Sequence, residues 1–220
     1  MEITWYGHSC FRMMERSMAA VVTDPYQDEI GYAPLKLKAD IVTVSHDSTG
    51  HNNADAVKGE KRVLTGPGEY EFGGVFITGI LTTAAGGDKK KKAADAPRNT
   101  LYLFDFDGLT VCHLGDMDHV PTQTQIETLG AVHVALVPVG GGGALNAAQA
   151  AEVISLLEPS IVIPMHYRTE VSSATLKLDP VSKFLKEMGL GPSQPEPMLK
   201  VTKSNLPDET HVVLLDYKSG

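Results

Sequence analysis

The chain has 220 residues, 42% of them hydrophobic, enough apolar material to bury one sizeable core and too much for a disordered protein. Its net charge of −8 excludes the broadly basic surface that holds nucleic acid or anionic membrane by charge. No apolar run approaches the roughly 20 residues needed to span a bilayer.

The N-terminal stretch MEITWYGHSCFRMMERSMAA is interrupted by charges and lacks a signal-peptide apolar core. Cys10 and Cys112 each fall inside a strand-like run and fit reduced, buried thiols, so a cytoplasmic location is expected.

Short strand-like runs fill the first half: Glu2–Tyr6, Ser9–Met14, Ala19–Thr23, Ile41–Val44 and Arg62–Thr65, then Val75–Leu81, Leu101–Phe106 and Leu109–Leu114. Asp107-Gly108 predicts a two-residue hairpin turn between the last two, because both central positions need positive φ. From Pro121 the rhythm changes. Pro121–Leu129 reads as a short helix, Val132–Val137 as a buried strand, and Ala147–Leu157 as a helix stopped before Pro159. Ile161–Met165 is again a strand, Pro180–Met188 a helix ended by Gly189, and Met198–Thr202 and His211–Leu215 return to strand. A meander followed by β-α-β-α-β implies two sheets with helices outside them, in one domain over residues 1–220. Residues 84–99, AAGGDKKKKAADAPRN, hold no aromatic or β-branched residue and predict a mobile, solvated loop, with a lid over a nearby site as the alternative.

Strand-to-loop junctions place free side chains on a rigid scaffold, and several titratable groups stand there. His46 and His51 follow Ile41–Val44, Asp116 follows Leu109–Leu114, and His166 follows Ile161–Met165. If these strands are neighbours, the four groups converge at one sheet edge, and imidazoles with one carboxylate suit zinc, manganese or iron. His8, after the first strand, can point into the same site, and His119 can line it; either could hand a proton to a leaving group. His113 is placed to orient a ligand by hydrogen bond. His133 and His211 read as sheet residues without chemistry. No serine has the setting of a nucleophile elbow. Gly140 to Gly143 lead from a strand into a helix without the Lys-Ser/Thr of a P-loop, and fit a loop touching an anionic group of a substrate. Gly141, Gly142 and Tyr167 are the expected substrate contacts.

The stretches GHSCF, TDP, TVSHDSTGHN, GPGEYEFGGVFITGI, GLTVCHLGDMDH, PVGGG and IPMHY, in that order from Ile3 to Tyr167, resemble the metallo-β-lactamase superfamily. More narrowly, they resemble its bacterial branch of metal-dependent hydrolases related to ascorbate-6-phosphate lactonase. The resemblance implies an α/β fold, a four-layer αββα sandwich of two mixed sheets, with a metal site along one edge between them. It also implies which residues bind. The family pattern Thr/Ser-His-x-His-x-Asp-His matches Ser45, His46 and His51, but Ser48 stands at the second histidine and Gly50 at the aspartate. A further family histidine normally follows the strand ending near Leu81, and LTTAAGGD offers none. Asp116 matches the bridging aspartate and His166 the last histidine.

A partly degenerate site with one divalent ion at most is therefore expected, zinc first and manganese or iron next, held by His51, Asp116 and His166 with His46 beside them. Asp116 keeps its catalytic role in this reading, and activated water attacks an ester, lactone or phosphodiester. The competing expectation is a non-catalytic member without an ion, binding a small ligand or serving in an assembly. In both readings the partner is a small molecule, without nucleic acid or membrane, and a homo-oligomer stays open.

Overall fold

The computed structural model describes residues 1–82 and 99–219. Among the described residues fifteen strands form two large sheets and one separate two-stranded pair. The first half gives β1 (Glu2–Gly7), β2 (Cys10–Met14), β3 (Val21–Thr23), β4 (Leu37–Lys38), β5 (Ile41–Thr43), β6 (Val57–Lys58), β7 (Arg62–Leu64), β8 (Gly68–Phe72) and β9 (Val75–Thr82). The remainder gives β10 (Asn99–Phe106), β11 (Leu109–His113), β12 (Val134–Pro138), β13 (Ile161–Met165), β14 (Leu199–Lys200) and β15 (His211–Val212). Three helices join them: α1 (Gln123–Leu129), α2 (Ala147–Leu157) and α3 (Val181–Glu187).

The first sheet has the order β14-β1-β2-β3-β5-β7 and the second β15-β13-β12-β11-β10-β9-β8. Both are mixed. β1, β2 and β3 are antiparallel neighbours while β3, β5 and β7 run parallel, and β11, β12, β13 and β15 run parallel beside the antiparallel β8-β9-β10-β11. β4 and β6 form a separate parallel pair.

The two-residue period of a strand explains the layers. In the first sheet Ile3, Trp5, Phe11, Met13, Val21 and Ile41 point into the main core, shared with the second sheet and the helices. Tyr6, Cys10, Val22 and Val42, on the opposite face, enter a second core with Tyr26, Ile30, Tyr32 and Leu35. These strands read as nearly unbroken apolar runs because both faces are covered. The cover on the outer face of the first sheet is a loop layer with 3₁₀ turns at Asp28–Ile30 and Ala54–Ala56 plus the β4–β6 pair. All three α-helices follow residue 122.

Local chemistry fixes the element ends. Asp107 and Gly108 have φ of 54° and 82°, the mirror-image turn expected of a two-residue hairpin. Thr122 with Gln125 and Asn146 with Gln149 close reciprocal capping boxes that start α1 and α2. Cys10 and Cys112 are buried free thiols. β8 gives no clear strand signal in the sequence, because Glu69 and Glu71 on an edge strand mask its alternation with Tyr70 and Phe72. Of the expected mobile loop, residues 84–98 lie outside the described residues, and Asn99 belongs to β10. Among the described residues no helix is long and apolar enough to cross a membrane.

Candidate metal centre

Five strands deliver their carboxyl ends to one edge of the sandwich. β1 runs directly into His8 and β3 into Asp24, β5 runs out to Ser45 and His46, β11 to Asp116, and β13 directly into His166. His51 returns to this edge through a tight loop in which Ser48 N–H donates to His46 O and His51 N–H to Ser48 O. Three of these residues stand in the left-handed backbone region: His8 at φ 50°, Asp24 at 40° and His166 at 53°. A non-glycine residue there is strained by roughly 1–2 kcal/mol, and such strain gathers at functional sites. Glycines make the close approach feasible. A Cβ at Gly140 would lie 2.2 Å from His166 O, and one at Gly115 would lie 2.3 Å from Asn99 Oδ1.

Asp116 stands among three imidazoles. Its Oδ1 is 3.3 Å from His51 Nε2 and 3.2 Å from His166 Nε2, and its Oδ2 is 3.6 Å from His46 Nε2. His8 lies against the same group, with ring centroids 4.9 Å from His51 and 4.3 Å from His166. His8, His51 and His166 are buried, and His46 is the most exposed of the four imidazoles. His8, His51 and His166 border a cavity of about 220 Å³, which Gly50, Asp116, Gly142, Ser48 and Leu178 also line.

A hydrogen-bond relay behind the cluster sets the imidazole orientations. The carboxylate of Asp24, buried completely, accepts Ser45 N–H at 2.7 Å, Ser45 Oγ–H at 2.6 Å and His51 Nδ1–H at 2.8 Å. With its proton committed to Asp24, Ser45 Oγ accepts from His46 Nδ1 at 3.1 Å. Both His46 and His51 thus turn Nε2 toward Asp116. On the other side Asn99 holds the Asp116 loop, taking Asp116 N–H at 2.9 Å and donating to Leu114 O and Thr82 Oγ1.

Charge follows from this wiring. Burial, then the imidazoles of His166 and His51, hold His8 well below the usual imidazole pKa. Burial also lowers His46, aided by His51, and lowers His166 despite the nearby Asp116 carboxylate. Burial opposes a charge on His51 as well, but Asp116 and Asp24 outweigh it and bring its pKa to about 10. Burial alone would raise Asp116; His166 and His51 outweigh it and keep the carboxyl well below its ordinary range. Without an ion the site is a His51 cation between two carboxylates, ringed by neutral imidazoles.

These residues fit a divalent metal ion. Tetrahedral coordination at about 2.0–2.1 Å sets donor atoms about 3.3 Å apart, and the Asp116 contacts to His51 and His166 are 3.3 and 3.2 Å. Asp116 Oδ1 is buried without a hydrogen bond of good geometry, so these nitrogens are near it but not aimed as donors. Carboxylate, neutral imidazole and a carboxylate-backed His51 are a donor set of the zinc type.

The structure thus brings together His46, His51, Asp116 and His166, with His8 beside them. Gly142 lines the cavity and Gly141 does not. Tyr167 turns the other way, its buried ring 5.1 Å from that of Trp5, so it makes no contact with the cavity. His119 also lies off the cavity lining and pairs with Asp118 at 2.6 Å. The His113 ring spends both nitrogens on backbone groups: Nε2 bonds to Ser9 O and Nδ1 accepts Gly115 N–H, which fixes the backbone on either side of the site. His133 accepts Thr110 N–H just ahead of β12, a structural role. The structure adds Asp24 and Asn99, which sequence pattern alone does not mark as site residues. The TDP stretch after a strand was the available signal for Asp24; Asn99 had none.

The sequence profile of the beta-lactamase superfamily domain matches residues 2–166. A Thermotoga maritima crystal structure, assigned as a Zn-dependent hydrolase of the metallo-beta-lactamase superfamily, superposes with a TM-score of 0.77 at 36% identity, covering 97% of each chain. A UPF0173 protein of Pyrococcus furiosus is 31% identical over 190 residues, 77% of this chain and 84% of that one. A UPF0173 metal-dependent hydrolase of Myxococcus xanthus is 30% identical over 200 residues, 76% of this chain and 71% of that one. The two-sheet architecture is the metallo-β-lactamase fold. By sequence and by fold, the chain belongs to the UPF0173 metal-dependent hydrolase family of the metallo-β-lactamase superfamily.

Proposed function

We propose that this chain is a hydrolase that works with a single divalent ion, zinc by donor chemistry, and cleaves an ester, lactone or phosphodiester of a small molecule. The observation that carries the reading is the Asp116 carboxylate set 3.2–3.6 Å from the Nε2 atoms of His51, His166 and His46. His51, Asp116 and His166 would hold the ion, with His46 adjacent. The pattern is partly degenerate at Ser48 and Gly50, which argues against a two-metal site. The resemblance to the ascorbate-6-phosphate lactonase branch supports a lactone among the three bond classes.

When bound, the ion supplies Lewis acidity and makes water acidic enough to act as a nucleophile near neutral pH. The chain's own residues do the rest. Asp24 fixes the His51 ring through Nδ1, and Asn99 fixes the Asp116 backbone, so the donors are set before substrate arrives. His46, the most solvent-accessible imidazole of the cluster and neutral at pH 7, is the group we assign to carrying protons at Nε2. The buried, neutral His8 is a poor acid for a leaving group. A cavity of about 220 Å³ is smaller than a typical drug-sized pocket, and admits a small substrate or one reacting end of a larger one.

A non-catalytic, ligand-binding role is favoured by one observation, the loss of a histidine and an aspartate at positions 48 and 50. Metal analysis of the protein purified without chelator separates the two. One ion per chain, lost in Asp116→Ala and His166→Ala, with hydrolysis of a nitrophenyl ester, a lactone or a bis-nitrophenyl phosphate, supports the hydrolase. Absence of bound metal after zinc addition at neutral pH sinks it.

A further inference from the structure

Part of the cavity lining cannot bind an ion. After His166 the chain leaves the second sheet as an excursion over residues 168–180 and returns at α3. Its base is closed: Arg168 N–H donates to Asp179 O and Asp179 N–H to Gly140 O, both at 2.8 Å. Its far end is tied to the loop layer of the first sheet. There Ser173 N–H donates to Ile30 O at 2.8 Å and Thr169 Oγ1–H to Tyr32 Oη at 3.0 Å. Gly31, at φ 100°, permits the approach, since a Cβ on it would lie 2.2 Å from Val171 O. The excursion therefore bridges the two halves of the sandwich at the edge where the imidazoles stand, and hydrogen bonds hold it at both ends.

Leu176 and Leu178 of this excursion line the cavity, and Ile30 joins them from the loop it is tied to. Leu178 and Ile30 are 5% and 2% exposed. Gly142 seats the leucines: a Cβ there would lie 2.6 Å from Leu178 Cδ2 and 2.8 Å from Leu176 O. One cavity thus holds the candidate ligands His51, Asp116 and His166 together with three aliphatic side chains whose backbone is fixed from both sheets.

We propose that Ile30, Leu176 and Leu178 are the specificity-determining surface of the site, and that its substrate is a carboxylic ester or lactone with a short alkyl chain beside the bond cleaved. This rests on the hydrolase reading above and narrows its substrate class. Alkyl carbon laid on these side chains leaves water favourably, whereas the charged oxygen of a phosphodiester would lose hydration there and gain no donor from them. Volume limits the chain. At about 30 Å³ for each water, a cavity of about 220 Å³ holds about seven, room for a reacting carboxyl group and roughly three or four further carbons.

The test loads the full chain with Zn²⁺ and measures kcat/KM for nitrophenyl esters of unbranched acids from acetate to octanoate. The value should rise about fourfold per methylene as far as butyrate and fall beyond hexanoate. Leu178→Ala should move the optimum to longer chains and raise the octanoate-to-butyrate ratio by more than about tenfold, with zinc content unchanged. Leu176→Ala should shift the optimum in the same direction. A second measurement needs neither turnover nor a variant. On the Zn²⁺-loaded native chain butyrate should bind about fifteenfold more tightly than acetate, and should shift the methyl NMR signals of Ile30, Leu176 and Leu178. A flat chain-length profile in the native chain, or acetate and butyrate bound equally, overturns the inference; cleavage of bis-nitrophenyl phosphate by the same protein then leaves the hydrolase reading standing. Butyrate preference with the expected methyl shifts, but hydrolysis of no probe, supports the alkyl-binding surface and sinks the hydrolase reading.

Discussion

Replacing Asp24 by asparagine changes one atom and should disable the relay behind the metal centre. The carboxylate now accepts three donors: Ser45 N–H at Oδ1, and Ser45 Oγ–H and His51 Nδ1–H at Oδ2. Asparagine keeps an acceptor for the first and sets an NH₂ group against the other two. Ser45 Oγ can turn and accept, but the neutral form of the His51 ring, the one that would ligate an ion, must then carry its proton on Nε2 rather than Nδ1. That places N–H, not a lone pair, opposite Asp116 Oδ1 at 3.3 Å. Each charge-assisted hydrogen bond is worth roughly 1.5–3 kcal/mol, and losing two is offset in part because a buried charge disappears. The expected destabilisation is about 3 kcal/mol, or roughly 6–12 °C in Tm for a chain of this size. Loss of such an orienting carboxylate weakens metal affinity by about 10–100-fold. Urea denaturation of the metal-free protein gives the first number, and chelator competition with Zn²⁺ gives the second. A folded Asp24→Asn protein that binds Zn²⁺ as tightly as the native chain would refute the relay, and with it the account of why His51 points at Asp116.

Three further outcomes follow from the same geometry. In the metal-free protein the neutral, buried His8 has a pKa below that of the unfolded chain, so the unfolded state binds the extra proton and stability should fall as pH drops below about 6.5, by up to ~1.4 kcal/mol per pH unit for each such imidazole. His51 has the opposite sign: raised to about 10, it contributes stability fully present below about pH 6.5 and lost as pH rises through its folded value. Urea midpoints of chelator-treated protein should therefore be highest near neutrality, and a midpoint that climbs from pH 6.5 to 5 contradicts the burial argument. Asn99→Ala removes the partners of Asp116 N–H and Leu114 O, and should cost about 2–3 kcal/mol while loosening Zn²⁺ binding; unchanged amide-exchange protection at Asp116 would count against it. Glu158, exposed at the end of α2 with φ 46° and ψ 49°, should gain about 0.5–1 kcal/mol as Glu158→Gly, read as a higher thermal midpoint with metal binding untouched.

The sequence by itself determined the elements and the ends from which the site is built. Apolar periodicity marked α2 and β13 residue for residue, Asp107-Gly108 gave its hairpin, and the strand-to-loop positions of His46, His51, Asp116 and His166 were visible because local pattern locates strand ends. Charged alternation hid β8, and two-residue strands such as β4 and β6 are too short to leave a period. The tertiary structure alone decided what each junction residue faces. His8 enters the space beside Gly50, Asp24 grips Ser45 and His51 from 21 and 27 residues away, Asn99 anchors Asp116, and Tyr167 turns into the core against Trp5. Such contacts depend on left-handed backbone turns and on glycines that permit close approach. Those angles become affordable only where the packed sandwich holds them, so spacing along the chain carries no record of them.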